Sequence, residues 1–346
     1  MKKVGIIGAT GYTGGELLRL LVQHPNVEVS AVTSNQSPGK PLTERLPSLT
    51  GHYDLKLEVL DPEKISKKTD IVFIALSHTT AMEPVKQFLN LKNKVIDLSA
   101  DYRLNTPTQY KKWYGTAHTA SYLLKKRVYG LSEVYREQIK NASLIANPGC
   151  YPTGTLLALY PFLKAGVLDT TREIIIDAKS GVSGAGRTPS TTTHFPEVNE
   201  GLLPYNIGTH RHLPEIEQEI ASFSKGKEKV DTIFTPYLLP VNRGILTTIY
   251  FPINQNLSEK QIQKILSCYK NEPFIRCLKQ PPNISTVRGT NYCDLAVFKT
   301  KNRRTLLIMS AIDNLVKGAA GQAIQNMNLM MSWKETLGLT QAGLYP

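Results

Sequence analysis

Short apolar runs alternate with helix-period segments along the first part of this chain. Val4-Gly-Ile-Ile7 and Val27-Glu-Val-Ser-Ala-Val-Thr33 read as strands, with Glu16-Leu-Leu-Arg-Leu-Leu-Val22 as an apolar helix between them. Asp70-Ile-Val-Phe-Ile-Ala-Leu76, Lys94-Val-Ile-Asp-Leu98 and Ala142-Ser-Leu-Ile-Ala146 are further buried strands, and a helical stretch lies near 81–91. Strands apolar on both faces and separated by helices predict a doubly wound, Rossmann-type parallel sheet. From about residue 171 the pattern changes. Glu173–Ala178, Thr232–Phe234, Leu246–Phe251, Cys293–Phe298 and Thr305–Ser310 are strand-like, with helical stretches near Pro214–Phe223 and Ser258–Tyr269. This predicts a second, α+β domain with a mixed, largely antiparallel sheet. Asp313–Met330 reads as a long helix returning to the first domain. The expected division is 1–149 plus about 313–346 for one domain and 150–312 for the other.

Between the first strand and its helix stands Gly8-Ala-Thr10-Gly11-Tyr12-Thr13-Gly14. A glycine triplet in that context suits a dinucleotide turn, because glycines allow the sharp bend and let the backbone approach a pyrophosphate at the helix N-terminus. The alternative is a helix start with close backbone packing. NAD-binding turns usually place Asp or Glu at the end of the second strand. Here Thr33-Ser34-Asn35-Gln36-Ser37 stands, with Lys40 close by, so the 2′-phosphate of NADP(H) is the better match.

Asn147-Pro-Gly-Cys150-Tyr-Pro-Thr153 places a thiol between a strand and the opening of a helix. The positive end of a helix favours the thiolate, which makes Cys150 a candidate nucleophile rather than a small buried apolar residue. His210-Arg211-His212-Leu-Pro-Glu215 groups two histidines, an arginine and a carboxylate at the start of a predicted helix. A histidine there could exchange the proton of a reacting group; a zinc pair and structural histidines are the other readings. Asp97-Leu-Ser99-Ala-Asp101-Tyr-Arg103 follows a sheet strand, where open α/β sheets bind ligands, and Arg103 could fork onto phosphate or carboxylate or form a surface pair with Asp101. Ser180-Gly181-Val-Ser-Gly-Ala-Gly-Arg187 is a loop whose backbone could line a nicotinamide pocket.

Composition narrows the field. The chain has 346 residues, 41% of them hydrophobic and 20% charged, as a globular protein does. Its first residues do not read as a signal peptide, and no apolar run approaches a membrane span, so no membrane partner is expected. Four cysteines without metal-ligand spacing fit a reducing cytoplasm, and no metal is expected. The net charge of +13 is scattered in short groups such as Lys67-Lys68, Lys125-Lys126-Arg127 and Arg303-Arg304. That argues against nucleic acid and suits steering of anionic small molecules.

Together, GATGYTGGELLRLL, DLSADYRL, YGLSEVY, NPGCYPT, SGVSGAGR, HRHLPEIEQE, PVNRGIL and DNLVKGAAGQAIQNMN closely resemble the N-acetyl-gamma-glutamyl-phosphate reductases, of the aspartate-semialdehyde dehydrogenase superfamily. The resemblance covers nearly the whole chain. It implies a dinucleotide-binding domain, and a catalytic and oligomerisation domain like that of glyceraldehyde-3-phosphate dehydrogenase. It also implies NADPH-dependent reduction of a small acyl phosphate, N-acetylglutamyl 5-phosphate, to the semialdehyde in arginine biosynthesis. Cys150 would form a thioester, with His212 as acid/base, Glu215 orienting it, and His210 as second choice. Arg103, Ser99 and Arg211 would hold substrate. Gly8, Thr10, Gly11, Tyr12, Thr13, Gly14, Ser34, Ser180, Gly181 and Asn314 would contact cofactor. A dimer or tetramer follows by the same analogy.

Three segments depart from the family pattern. Ser77-His78-Thr79-Thr80 replaces a Pro-His-Gly-like segment, Leu131-Ser132-Glu133 replaces Leu-Pro-Glu, and Asn35 stands where an arginine often follows the serine. The rival readings are a reductase for the aminoadipyl homologue, an aspartate-semialdehyde dehydrogenase, and a non-catalytic NADP-sensing regulator.

Overall fold

The computed structural model describes residues 1–224, 230–302 and 304–344, so Arg303 and the last two residues of the expected returning segment lie outside the described residues. The chain forms two units. The first comprises Met1–Gly149 with Ala319–Gln341, and the second begins at Cys150 and runs to Gly318.

The first unit is built on a six-stranded sheet in the order β2-β1-β3-β4-β6-β5. Its strands are β1 (Lys2–Ile7), β2 (Val27–Val32), β3 (Ile71–Ile74), β4 (Lys94–Asp97), β5 (Val128–Tyr129) and β6 (Leu144–Ala146). Every pairing is parallel. Val4 to Ile7 and all four residues of β3 are buried, as expected for strands covered on both faces. The two-residue β5 is too short to leave a pattern in the sequence.

Helices α1 (Tyr12–Leu21), α2 (Leu42–Arg45), α3 (Met82–Asn90) and α4 (Ser132–Lys140) follow strands or loops of this sheet. Gly8 has φ +88°, the left-handed backbone that favours glycine, and so turns the chain out of β1. Gly14 is needed for a different reason. A Cβ there would lie 2.4 Å from Gly8 O and 2.8 Å from Ala9 Cα, so the helix rests directly on the turn. One at Gly11 would meet only Gly8 O, at 3.7 Å.

The terminal helix Gly321–Met330 is buried along its entire length despite four amide side chains. Each finds partners. Gln322 Nε2 donates to Gly130 O and Ser132 Oγ, and Asn326 Nδ2 donates to Gly130 O and Asn147 Oδ1. Gln325 Nε2 donates to Glu133 Oε1, and Asn328 Nδ2 to the carbonyls of Glu335 and Leu337. Ser132, where the family pattern has proline, is thereby part of a buried amide network. These bonds offset much of the desolvation of a buried polar helix, although Gln322 Oε1 is buried without a hydrogen-bond partner among the described residues.

The second unit carries a seven-stranded sheet in the order β11-β12-β13-β10-β7-β9-β8. The strands are β7 (Ile174–Gly181), β8 (Leu203–Pro204), β9 (Thr232–Leu239), β10 (Ile245–Pro252), β11 (Ile275–Cys277), β12 (Cys293–Lys299) and β13 (Thr305–Ile312). β7–β9 and β11–β12 are parallel and the other pairs antiparallel, which is the mixed sheet the sequence predicts. Helix α5 (Cys150–Lys164) packs on β10 and β13, with α6 (Leu213–Phe223) beside it and α7 (Glu259–Leu266) further along.

The return to the first unit comes a few residues later than the sequence suggests. Asp313 accepts N–H bonds from Gly289, Leu315 and Val316, which keeps Asp313–Gly318 in the second unit. A π-helical turn at Val316–Ala320 then precedes the α-helix, in place of one long regular helix. Among the described residues, no helix is long and apolar enough to cross a membrane.

The contrast between the glycines gives a direct test. Gly14→Ala should lower the unfolding free energy by about 1–3 kcal/mol through overpacking. Gly11→Ala should cost about 1 kcal/mol or less. Urea melts of the two variants measure the difference, and equal stabilities would contradict the close approach at Gly14.

Candidate active site

In the first unit, the glycine turn meets the end of β2. Gly8 N–H donates to Thr33 Oγ1 at 3.0 Å, and Thr10 Oγ1 lies 3.2 Å from Ser34 Oγ. Gly11 precedes α1 at its N-terminus, and no side chain caps the helix there. Tyr12 and Thr13 open its first turn, so their N–H groups and the helix dipole face the mouth of the turn. Open space over Gly11, where a Cβ would meet only Gly8 O at 3.7 Å, an uncapped ten-residue helix and two buried hydroxyl residues, Thr33 and Ser34, fit the pyrophosphate and ribose of a dinucleotide. Lys40 does not stand open at this end, because it pairs with Glu44 at 2.5 Å.

The Asp97–Arg103 turn is drawn inward, and neither Asp101 nor Arg103 is at the surface. Arg103 Nε donates to Asn147 O at 2.8 Å and Nη2 donates to Leu98 O at 2.9 Å. Ser99 Oγ donates to Asp97 Oδ2 and accepts from Asp101 N–H, so its hydroxyl serves the turn itself. Burial, with the neighbouring Asp101 charge, pushes the Asp97 carboxyl up to about 7. Asp101 accepts from Thr79 N–H, Ala81 N–H and the Tyr110 hydroxyl. Thr79 occupies the glycine position of the family segment and still takes left-handed backbone, φ +72°. Its N–H bond to Asp101 at 2.7 Å helps hold that conformation.

Asn147, at the end of β6, is clamped within this unit. Its N–H donates to Asp97 O, its Nδ2 to Ala319 O, and its Oδ1 accepts from Asn326. The chain then leaves through Pro148 and Gly149.

In the second unit, Cys150 is the first residue of α5 and is partly exposed. The helix therefore starts three residues before the sequence reading of Thr153, with the cysteine inside its first turn. A Cβ at Gly318 would stand 2.9 Å from Cys150 Cβ, so only glycine lets the π-helical turn lie against the thiol.

Tyr151 links Cys150 to the histidine segment. Its ring packs edge-on against His210 (centroids 5.4 Å), His212 (5.8 Å) and Phe234 (5.4 Å). Its hydroxyl lies 2.9 Å from that of Tyr205 and donates to Tyr237 O at 3.3 Å. Burial pushes both phenols well above the ordinary tyrosine range, and the nearby Cys150 adds to the shift.

The rings of His210 and His212 are 4.9 Å apart. His212 N–H donates to His210 Nδ1 at 3.1 Å, which assigns the ring proton of neutral His210 to Nε2. Burial, and then the Arg211 charge, push His210 down to about 4. Glu215 is buried in the first turn of α6, and Arg211 is exposed. Among the described residues, no group of three or more His, Cys, Asp or Glu side chains is arranged to hold a metal.

Ser180 and Gly181 end β7, where a Cβ at Gly181 would lie 2.8 Å from the Asn242–Arg243 backbone. Asn314 Nδ2 donates to Ser183 Oγ and its Oδ1 accepts from Gly244 N–H, so it fastens this loop to the neighbouring strand entry. Tyr205 and Phe234 were not among the sequence candidates. Tyr205 lies in an aperiodic loop and Phe234 in an ordinary strand, so only their placement reveals them. Tyr151 had a signal, its position directly after the cysteine.

Residues 3–142 match the semialdehyde dehydrogenase NAD-binding domain, and residues 150–314 the semialdehyde dehydrogenase dimerisation domain. The chain is 49% identical to an N-acetyl-gamma-glutamyl-phosphate reductase of Ruthia magnifica, over 100% of both chains. It is likewise 49% identical, with the same coverage, to the reductase of that name from Alkaliphilus metalliredigens. Aspartate semialdehyde dehydrogenase II of Vibrio cholerae shares the fold, with a TM-score of 0.73 at 18% identity, covering 96% of this chain and 98% of that one. The parallel sheet with its glycine turn, the mixed sheet and the cysteine-led helix agree with these matches, and the chain belongs to the N-acetyl-gamma-glutamyl-phosphate reductase family of semialdehyde dehydrogenases.

Proposed function

We propose that this chain reduces N-acetyl-L-glutamyl 5-phosphate to N-acetyl-L-glutamate 5-semialdehyde, releasing phosphate, with NADPH as reductant, in arginine biosynthesis. The observation that carries this reading is Cys150 in the first turn of α5, joined through Tyr151 to the paired rings of His210 and His212. The reading places the protein in the cytoplasm.

The Cys150 thiolate attacks the acyl carbonyl, and the tetrahedral intermediate expels phosphate to leave a thioester. N–H groups of the first turn of α5 stabilise the oxyanion. When bound, the nicotinamide cofactor would supply hydride to the thioester carbonyl. His212 protonates the resulting oxyanion and takes that proton back as the thiohemiacetal collapses to aldehyde and thiolate. His210 is neutral near pH 7 and accepts the His212 N–H, so it positions His212 rather than transferring the proton itself. Glu215 supports the same segment from the first turn of α6.

Arg103 and Arg211 supply charge for the anionic substrate, while Ser99, its hydroxyl engaged by Asp97 and Asp101, holds the shape of the Asp97–Arg103 turn rather than touching substrate. Gly8, Thr10, Gly11, Tyr12, Thr13, Gly14 and Ser34 bind the nucleotide. Ser180 and Gly181 meet the nicotinamide end, with Asn314 holding their loop.

Self-association takes place on the second sheet. Ile233, Ile175, Tyr250 and Leu307 are register partners across β9, β7, β10 and β13 and so form one row on one face. The first three are 48%, 39% and 41% exposed, an apolar strip that a second copy of the chain would cover. Light scattering should therefore return a mass of at least twice 38.5 kDa, and a monomer mass would exclude this pairing.

Turnover tests the reaction. Wild type should reduce NADP⁺ with N-acetylglutamate 5-semialdehyde and phosphate. Cys150→Ala should abolish this, and His212→Gln should slow it by about 10²–10⁴-fold. The aminoadipate analogue should be slower by roughly 10- to 200-fold, the reach of one methylene. Faster turnover of that analogue or of the aspartate compound would reassign the substrate. NADPH binding without thiol-dependent turnover would favour the regulator.

His210 predicts a pH dependence of stability. Its folded-state proton affinity lies below its ordinary value of 6.5, so the unfolded chain binds the extra proton between about 6.5 and about 4. Stability should be full above that window and fall as the pH drops through it. Denaturant melts across pH 4–7 should show a shallower decline in His210→Gln than in wild type.

A further inference from the structure

The cations and carboxylates following β2 are unequally paired. Lys40 is held by Glu44, and the Glu58 carboxylate, whose backbone bonds Ser34, is held by Lys68 at 2.6 Å. Both acidic groups near the end of β2 are thus already neutralised. Arg45, the last residue of α2, is different. Its Nε donates to Ser37 Oγ at 2.6 Å, and among the described residues its terminal amines make no hydrogen bond or ion pair. Ser37 is itself buried, so one edge of the guanidinium is fixed while its outer edge stays presented.

The short helix α2 that ends on Arg45 is also anchored on α1, the helix that the glycine turn opens. The next residue, Leu46, packs 3.4 Å from where a Cβ of Gly15 would stand in α1. Ser34, three residues before Ser37, reaches the turn through Thr10. The end of the second strand is where a dinucleotide turn reads the adenosine ribose, and here it carries hydroxyls, no unpaired carboxylate and one oriented guanidinium. A fixed guanidinium edge is suited to a phosphate monoester through paired N–H bonds.

We infer that Arg45, oriented by Ser37, is the residue that selects NADPH over NADH by binding the 2′-phosphate, with the hydroxyls of Ser34 and Thr10 beside it. Asn35, exposed at the position where the family pattern has an arginine, leaves this task to a cation ten residues further on. The inference rests on the NADPH reading above and names the group that produces it.

The test is equilibrium binding to the full-length protein. Affinities for NADPH and NADH are measured by nucleotide fluorescence, and those for 2′,5′-ADP and 5′-AMP by calorimetry, with wild type, Arg45→Gln and Lys40→Gln. Arg45→Gln should weaken NADPH and 2′,5′-ADP by about 10- to 100-fold while leaving NADH and 5′-AMP within about twofold. Unchanged NADH affinity also shows that the variant is folded. Lys40→Gln removes the same charge from the same loop and should weaken NADPH by less than about threefold. A wild type that binds NADH as tightly as NADPH would overturn the NADPH reading, and the inference with it. A wild-type preference that survives in Arg45→Gln would overturn the role of Arg45 alone. Equal losses in the two variants would replace a bound guanidinium with a general field and also overturn it.

Discussion

The chemistry proposed for this chain depends on where one helix begins. Asn147 is fixed by its backbone to Asp97 and by its side chain to Ala319 and Asn326, and Arg103 donates to its carbonyl. Three residues later the chain starts a helix on Cys150 itself. A start even one turn later would leave the thiol in a flexible loop, away from the helix N–H groups. Gly318 completes the constraint, because any side chain there would collide with Cys150 Cβ.

Charge is handled differently at each end of the chemistry. In the Asp97–Arg103 turn the carboxylates are buried and saturated with hydrogen bonds, and Asp97 titrates far above its ordinary range. Such a turn holds its shape because the cost of leaving any of its polar groups unpaired is large. Around the thiol, polar groups are enclosed by aromatic rings. That keeps His210 neutral near pH 7 and pushes the two phenols further above the ordinary tyrosine range. In the proposed reaction the proton work falls to His212, whose backbone N–H is fastened to the ring of His210.

The second sheet serves two purposes through strand alternation. Alternate side chains of β7 and β10 turn toward α5, while the opposite face presents the Ile233–Ile175–Tyr250 row. A single-residue slip in register would exchange these sets, burying the strip and exposing the core. The pairing register therefore couples support of α5 to the apolar face on which self-association is proposed.

The sequence by itself determined the alternation of strand and helix, the glycine turn, the break to a mixed sheet and the cysteine-led helix. Each of these is written in short-range periodicity or in glycine and proline, whose backbone preferences act locally. It did not reveal β5, which is two residues long, or α4, whose polar sequence SEVYREQIK buries only three residues. Nor could it rank the two histidines, separate Lys40 from Arg45, or show that the Ser99 hydroxyl is engaged within its own turn. Those outcomes rest on partners far away in the chain or on which face a side chain takes. Phe234 packs on His210 from β9, Leu46 seats α2 on α1, and Asn326 reaches Asn147 across 179 positions. Local pattern fixes which elements form, because each residue carries its own preference. Long-range packing alone decides which polar group is left to act, because desolvation and pairing depend on the neighbours that tertiary structure supplies.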